Sequence, residues 1–139
     1  MKVGYCIHAK THAEFLNQIL RKDYKAWMKS CYHLSDGKMI WMIQLGDFIS
    51  KTGWINKLAT PKEIREKHVH LIFDHQHNTY KNALQTGQYF NCSDRVVFDV
   101  IKNKRDRVYV FRGVFRLNKQ ESSSNENVWD LIKDEYIIY

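Results

Sequence analysis

The stretch that decides the fold is residues 95–117, "RVVFDVIKNKRDRVYVFRGVFRL". Two runs rich in β-branched and aromatic residues, 95–101 and 107–117, flank the polar "KNKRD" at 102–106, and this pattern predicts a β-hairpin. Gly113 stands inside the second run, where a glycine indicates a bulge that bends the sheet toward a barrel. The hairpin therefore predicts a curved, mainly antiparallel sheet.

Side chains alternate between the two faces of a strand, and in residues 107–117 this alternation separates aromatic residues from arginines. One face suits packing against a helix, and the other suits contact with a polyanion. The expected apolar face carries Tyr109, Phe111, Phe115 and Leu117, and the opposite face carries Arg112 and Arg116 among valines.

The rest of the chain adds a clear helix and further strands. Thr11 and Glu14 fit a capping box, and the apolar residues after them predict a helix from about residue 12 to the mid-twenties, continuing to Cys31 or breaking near Asp23. This order favours one α+β domain over residues 1–139, with flanking helices around the sheet. Other strands are predicted at 2–7, 39–45, 67–78 and 136–139, short helices after Thr60–Pro61, at 79–87 and at 128–135, and an irregular segment over 46–67.

The formal net charge of +7 is concentrated in one region. Residues 95–119 contain eight Lys and Arg against two Asp, whereas residues 120–139 contain five acids against one Lys. A concentrated positive surface attracts polyanions, and nucleic acid is the commonest of these. The alternative is that the strand arginines are neutralised by Asp99, Glu121 or the acidic C-terminal segment. The predicted phosphate contacts are Lys102, Lys104, Arg105, Arg107, Arg112 and Arg116.

Aromatic residues between the predicted strands are candidates for base stacking, because unpaired or extruded bases are held on such rings. A nearby amide or carboxylate group would read the base edge. For each ring taken alone, burial in the core is the simpler interpretation. The predicted stacking and reading residues are Trp54, Asn56, Tyr89, Phe90 and Asp94.

Four histidines lie in "KHVHLIFDHQHN" at residues 67–78. Zinc requires three or four ligands that converge on one point, and no accompanying motif indicates such convergence. We therefore predict no metal and no other cofactor, and we interpret these histidines as the polar face of a strand. Three cysteines without a CxxC pair predict small buried thiols and no disulfide scaffold. The weaker metal-ligand candidates are His68, His70, His75 and His77.

Histidine also supports an enzymatic alternative. In a metal-independent ribonuclease or toxin, one histidine accepts the 2′-hydroxyl proton and another protonates the leaving oxygen. Because no spacing brings the available histidines together, binding without catalysis is preferred. The catalytic candidates for this alternative are His8, His12, His68 and His70.

Residues 95–117, with the polar loop that follows and "VWDLIKDEY" at 128–136, resemble the late hairpin and closing segment of PUA-like domains. These domains include the SRA-type modules that recognise modified cytosine in restriction endonucleases. The resemblance covers about the last third of the chain. It implies a PUA-like open barrel that reads an extruded or modified base. No base-pocket motif matches position by position, so no pocket residue is carried over.

The favoured hypothesis is a nucleic-acid-binding domain, with DNA a better partner than RNA, that recognises a modified or flipped base and grips phosphates with its basic hairpin. A third hypothesis is a small inhibitor that contacts a partner protein, such as a phage-encoded antagonist of a defence system. The sequence contains neither a run of about eighteen apolar residues nor the apolar core of a signal peptide. We therefore expect no membrane association and a cytoplasmic location.

Overall fold

The computed structural model describes residues 1–44, 54–58, 71–76, 94–118, 120 and 126–138, and of 54–58, 71–76 and 126–128 it describes the backbone alone. The α+β class is confirmed. No helix in these ranges is both long and apolar enough to cross a bilayer. The elements are β1 Cys6–Ala9, α1 His12–Leu20, β2 Cys31–His33, β3 Met39–Ile43, β4 Trp54–Leu58, β5 Leu71–Gln76, β6 Arg95–Lys102, β7 Arg107–Leu117 and β8 Glu126–Lys133.

The chain divides into two compact units built from discontinuous segments. The first unit consists of residues 1–44, 95–114 and 133–139, and the second of residues 45–94 and 115–132. β7 therefore contributes residues to both units. The single domain expected from the length stays a prediction.

The strands of the first unit follow the order β2–β3–β6–β7, and β1 also pairs with β7. β2 lies antiparallel to β3, and β1 lies antiparallel to β7 with Cys6 opposite Val110. β3 runs parallel to β6, with Met39 opposite Arg95. Four consecutive residues of β3 are buried, as expected for a strand that is covered on both faces. The predicted β6–β7 hairpin and the central position of β3 are both confirmed.

The core of the first unit is built around Phe15 of α1. Its ring stacks on Tyr109 with 4.1 Å between centroids and meets the edge of Phe98 at 4.8 Å. All three side chains are fully buried. Burial of a phenylalanine side chain contributes roughly 2–3 kcal/mol, so this aromatic contact fixes α1 against the sheet.

Helix α1 begins as the sequence predicts and ends earlier. Thr11 is the N-cap, and its Oγ1 accepts a hydrogen bond from the Glu14 amide at 3.1 Å. At the other end, Arg21 adopts the left-handed conformation with φ 55° and its amide donates to the Asn17 carbonyl. The Asn17 side chain then bonds both the amide and the carbonyl of Tyr24, at 2.8 and 2.9 Å. These local bonds replace the helical ones, so the break close to Asp23 was the correct alternative.

The second unit follows the order β7–β8–β5–β4, with β5 antiparallel to both of its neighbours. Two sequence predictions are wrong here. β8 occupies the segment predicted as a short helix, because Trp129 is fully buried in a strand that pairs with β5. β4 lies within the segment predicted as irregular, because pairing with β5 orders it. Tertiary pairing overrides the local pattern in both cases.

A change of phase occurs in β7 at Gly113, whose φ of 120° is a conformation that other residues rarely adopt. Tyr109 and Phe111 are fully buried, as predicted. The next residue in the same core cluster is Val114, and not Phe115 as strict alternation requires. This slip by one position is the effect expected of a bulge at a strand glycine.

Several other predictions meet different outcomes. Residues 136–138 form no strand, although 136–139 was predicted as one. Cys6 is exposed and Cys31 is half-buried, so the expectation of buried thiols is wrong for Cys6. Cys92 and the predicted helices after Thr60–Pro61 and at 79–87 lie outside the described residues.

Candidate nucleic-acid interface

The turn between β6 and β7 is held by its own polar residues. The Asn103 amide donates to the Asp106 carbonyl at 3.0 Å, and the Asp106 amide donates to Oδ1 of Asn103 at 3.1 Å. The Arg107 amide donates to Oδ1 of Asp106 at 2.8 Å. Side chains that hydrogen-bond the nearby backbone in this way fix a turn. The turn therefore presents its cations from an ordered backbone.

Four of the six predicted phosphate contacts belong to this turn, and we call Lys102, Lys104, Arg105 and Arg107 the basic turn. The first three side chains are exposed and Arg107 is half-buried. None of the four makes an ion pair with a carboxylate in the part of the chain that is described. The charges of Lys102, Lys104 and Arg105 are therefore open to solvent.

The other two predicted contacts are engaged by carboxylates. Arg112 bonds Asp99 at 3.3 Å, and the Asp99 side chain is only 11% exposed. Arg116 makes two bonds to the oxygens of Asp94, at 2.9 and 3.0 Å. Hydrogen bonding to Asp94 also raises the pKa of Arg116. The neutralisation that the sequence left open thus applies to the strand arginines, with Asp94 as a partner that was not foreseen.

His12, in the first turn of α1, lies beside the basic turn. Burial, followed by the charges of Arg107 and Lys102, lowers the pKa of His12 to about 4. Its Nδ1 lies 2.7 Å from the Tyr109 hydroxyl, which also accepts a hydrogen bond from the Arg107 side chain. Because the imidazole is neutral and the hydroxyl proton needs an acceptor, we assign the hydroxyl as donor to Nδ1. Nδ1 of His12 therefore accepts the hydrogen bond from the Tyr109 hydroxyl and carries no proton of its own.

His8 lies nearby in β1 but has a different partner. Its exposed ring reaches Oδ2 of Asp106 at 3.4 Å. No hydrogen bond joins His8 to His12 among the described residues, and His68 and His70 lie outside them. A ribonuclease needs one protonated and one neutral histidine at the same phosphate. The described contacts do not assemble that pair.

In the second unit, three polar residues occupy one row of the sheet. Asn56 of β4 lies opposite Asp74 of β5, and Asp74 lies opposite Asn127 of β8. Residues directly opposite in an antiparallel ladder share a face, so these three positions lie together on one side of the sheet. Trp54, opposite Gln76, occupies the next row on that face. We call Asn56, Asp74 and Asn127 the polar row.

The face that carries the polar row also carries Trp129. Trp129 follows Asn127 at the strand spacing of two, lies opposite Ile72 and is fully buried. Trp129 is therefore buried on the face of the sheet that also carries the positions of the polar row. A polar row beside a buried tryptophan combines hydrogen-bonding groups with an apolar surface, the combination that a base site requires.

The predicted stacking and reading residues therefore do not form one group among the described residues. Trp54 and Asn56 occupy alternate positions of β4, on the same face. Asp94 is engaged by Arg116, and Tyr89 and Phe90 lie outside the described residues. Sequence reasoning missed Asp74 and Asn127 as partners of Asn56. Asp74 lies in the strand predicted at 67–78, but no local pattern predicts which strands pair with that strand.

Only one of the four candidate metal-binding histidines lies within the described residues. His68, His70 and His77 lie outside the described residues, and His75 lies opposite Ile55 and Glu126 in the row that faces away from the polar row. Within the described ranges no three His, Cys, Asp or Glu side chains form a potential metal site.

Comparison with known proteins gives two findings. The family of the SET and RING associated domain, abbreviated SRA, matches residues 4–138. Among solved structures, "The 5-Hydroxymethylcytosine-Specific Restriction Enzyme AbaSI" is similar in fold, with a TM-score of 0.62 and 18% sequence identity over 96% of this chain. The match spans 40% of the AbaSI chain. No curated protein is similar enough in sequence to count as a match.

Proposed function

This chain belongs to the SRA family, and we propose that it binds duplex DNA and reads a modified cytosine, with 5-hydroxymethylcytosine as the first candidate. We assign a separate role to one site in each unit. The basic turn supplies contacts to phosphates, and the polar row supplies contacts to the base. The resemblance that the sequence showed in its last third thus extends over nearly the whole chain.

The basic turn suits phosphate binding for an electrostatic reason. Each cation that neutralises a phosphate releases a condensed counterion, which makes the affinity for DNA fall as salt rises. Lys102, Lys104 and Arg105 are exposed, and Arg107 lies within hydrogen-bonding reach of the Tyr109 hydroxyl. Arg112 and Arg116 form ion pairs with Asp99 and Asp94, so we do not assign them to phosphate binding.

The polar row suits the edge of a cytosine. A carboxylate such as Asp74 accepts a hydrogen bond from the exocyclic amino group of cytosine, and amides such as Asn56 and Asn127 both donate and accept. A base inside a duplex cannot reach such a row, so the target nucleotide would be extruded from the stack. The aromatic ring of Trp54, one row away, is the candidate for stacking on it.

The observation that carries the proposal is the register of β4, β5 and β8. It brings Asn56, Asp74 and Asn127 into one row on the face where Trp129 is buried. The chain that carries this row belongs to the SRA family. Neither a charged surface nor a histidine-rich strand would by itself distinguish base reading from general attraction to phosphate.

Binding to three matched duplexes tests the proposal. The duplexes differ at one cytosine, which is plain, 5-methylated or 5-hydroxymethylated, and fluorescence anisotropy measures each Kd with the wild type, Asp74→Asn and Glu126→Gln. We expect the wild type to prefer a modified duplex. Asp74→Asn should weaken binding of each duplex whose cytosine is read by about tenfold, because the amino group that Asp74 is proposed to bind is present in all three cytosines and a good base contact is worth about 1–3 kcal/mol.

Glu126→Gln is the matched control, because it removes the same charge from the opposite face of the neighbouring strand. It should leave the affinity for all three duplexes unchanged. Equal affinity of the wild type for all three duplexes would overturn base reading. The absence of duplex binding at low salt would overturn the proposed function as a whole.

A further inference from the structure

Residues 22–30, which we call the basic loop, depart most clearly from the helix that the sequence predicts. On that helix Met28 would lie with Trp27 on the apolar face. Instead Trp27 is half-buried and Met28 is 93% exposed, the highest value among the exposed large hydrophobic residues described. Lys25 and Lys29 flank Met28, are exposed and make no ion pair with a described residue. The loop therefore projects an apolar side chain between two unpaired cations.

The basic loop is fixed by contacts on both sides of Lys25. Asn17 bonds the backbone of Tyr24 twice, and the hydroxyls of Tyr24 and Tyr32 lie 2.8 Å apart. The indole of Trp27 donates to the Cys31 carbonyl at 3.1 Å. The rings of the two tyrosines and Trp27 lie within 5.9 Å of one another, centre to centre. A loop ordered before it binds loses less conformational entropy on binding.

The register of the sheet places the end of this loop toward the basic turn. Cys31 lies opposite Trp41, and Trp41 lies opposite Val97 of β6. β6 runs from Val97 toward Lys102, and β2 runs the opposite way, so the residues that precede Cys31 extend in the direction of Lys102. The Ser30 carbonyl accepts from the Met42 amide at 2.7 Å, and Met42 lies opposite Phe98, midway along β6. Lys29 directly precedes Ser30 and therefore lies on the side of this bond that leads toward the basic turn.

We propose that the basic loop is a second DNA contact, in which Lys25 and Lys29 bind phosphates and Met28 enters a groove and packs against the bases. This inference rests on the proposed function and adds a contact surface to it. A single exposed apolar residue needs no explanation by itself. Here the apolar side chain stands on an ordered loop, between two cations that pair with no described carboxylate, in the unit that also carries the basic turn. Methionine is among the side chains that proteins insert between base steps.

Charge and contact variants test the two parts of the inference separately. Lys25→Gln/Lys29→Gln should lower the slope of log Kd against log salt by about 2 on plain and modified duplexes alike, since each phosphate contact contributes about 0.9. The matched control is Lys2→Gln/Lys133→Gln. Both of those lysines are exposed, and the bonds from Gly4 to Phe111 and from Val3 to Asp134 place them at the opposite end of the sheet. The control should leave the slope unchanged.

Met28→Ala should weaken binding by up to about tenfold, the factor that burial of one methionine side chain supplies, without a change in the salt slope. Val3→Ala, an exposed apolar residue at the far end, is the control. In a set of duplexes that carry 2-aminopurine at successive positions, one position should brighten on wild-type binding and brighten less with Met28→Ala, because the fluorescence of 2-aminopurine rises when it is unstacked. Circular dichroism confirms that each variant is folded.

The outcomes separate this inference from the proposed function. If the wild type binds DNA and both loop variants bind with unchanged affinity and slope, the inference is wrong, the proposed function stands, and the exposed Met28 would point to a protein partner. If the wild type binds no duplex, both fail. A loss of slope with Lys25→Gln/Lys29→Gln and an unchanged Kd with Met28→Ala would refute insertion and leave the phosphate contact.

Discussion

The Tyr109 hydroxyl lies 2.7 Å from Nδ1 of His12, and this contact joins the first turn of α1 to β7 beside the basic turn. The ring of Tyr109 belongs to the core, where it stacks on Phe15. Its hydroxyl is buried with the ring and lies within hydrogen-bonding reach of the Arg107 side chain. One side chain thus contacts both the helix and a predicted phosphate-binding residue.

The first prediction concerns acid stability. The pKa of His12 is lowered from 6.5 to about 4 in the folded protein. As pH falls from 6.5 to 4, His12 binds a proton in the unfolded chain but stays neutral in the folded protein. The free energy of unfolding therefore falls across that window and levels off below it. The full shift would correspond to about 3 kcal/mol, and solvent screening of a half-exposed ring reduces this to roughly 1–2 kcal/mol.

His12→Gln removes this titration, because its amide keeps the acceptor for Tyr109 and carries no proton equilibrium. Urea unfolding at several pH values between 7.5 and 4.5 should show the wild type losing roughly 1–2 kcal/mol more than His12→Gln as the solution is acidified. Parallel curves for the two proteins would contradict the lowered pKa.

The second prediction separates free from engaged arginines in the hairpin. Arg105→Gln should lower the salt slope of DNA binding by about 0.9, because an exposed and unengaged cation is lost. Arg116→Gln removes the same charge from a side chain that both oxygens of Asp94 already hold, and should change the slope little. Equal effects of the two variants in an anisotropy titration would show that the ion pair with Asp94 opens on DNA.

The third prediction compares two ion pairs by burial. Asp99→Asn should lower the free energy of unfolding by about 2 kcal/mol, because Asp99 is largely buried and its loss leaves the Arg112 charge without that partner. Asp94→Asn should cost less than about 1 kcal/mol, because the Arg116 side chain is 65% exposed and water replaces the carboxylate. Chemical denaturation of both variants gives the comparison, and a reversed order would be evidence against burial as its cause.

The fourth prediction concerns Gly113. A residue with a Cβ is strained at φ 120°, so Gly113→Ala should destabilise the protein by about 1–3 kcal/mol. The change in phase between Phe111 and Val114 depends on this backbone conformation. A thermal unfolding midpoint within a degree of the wild type would mean that the strand keeps a regular backbone there.

The sequence predicted those parts of the fold that depend on near neighbours. The β6–β7 hairpin follows from alternation on either side of a polar turn, and the start of α1 follows from a cap whose partner lies three positions away. The buried strand β3 follows from a continuous apolar run. The same local patterns failed at β8 and at the end of α1, because distant residues supply the competing contacts.

Less of the candidate interface could be predicted, because it combines residues that are far apart in the sequence. Sequence alone placed six cations in one region. Only the folded sheet shows that Arg112 and Arg116 pair with Asp99 and Asp94, whereas no described carboxylate pairs with the basic turn. The polar row combines β4, β5 and β8, and no local pattern states their order.

The sequence therefore determined the α+β class, the hairpin and the excess of positive charge, since propensity, alternation and composition act within a few residues. The tertiary structure determined which charges are cancelled, that His12 is neutral, and that Asn56, Asp74 and Asn127 share a row. Burial and strand register are properties of contacts between distant residues, and these contacts form only when the whole chain has folded.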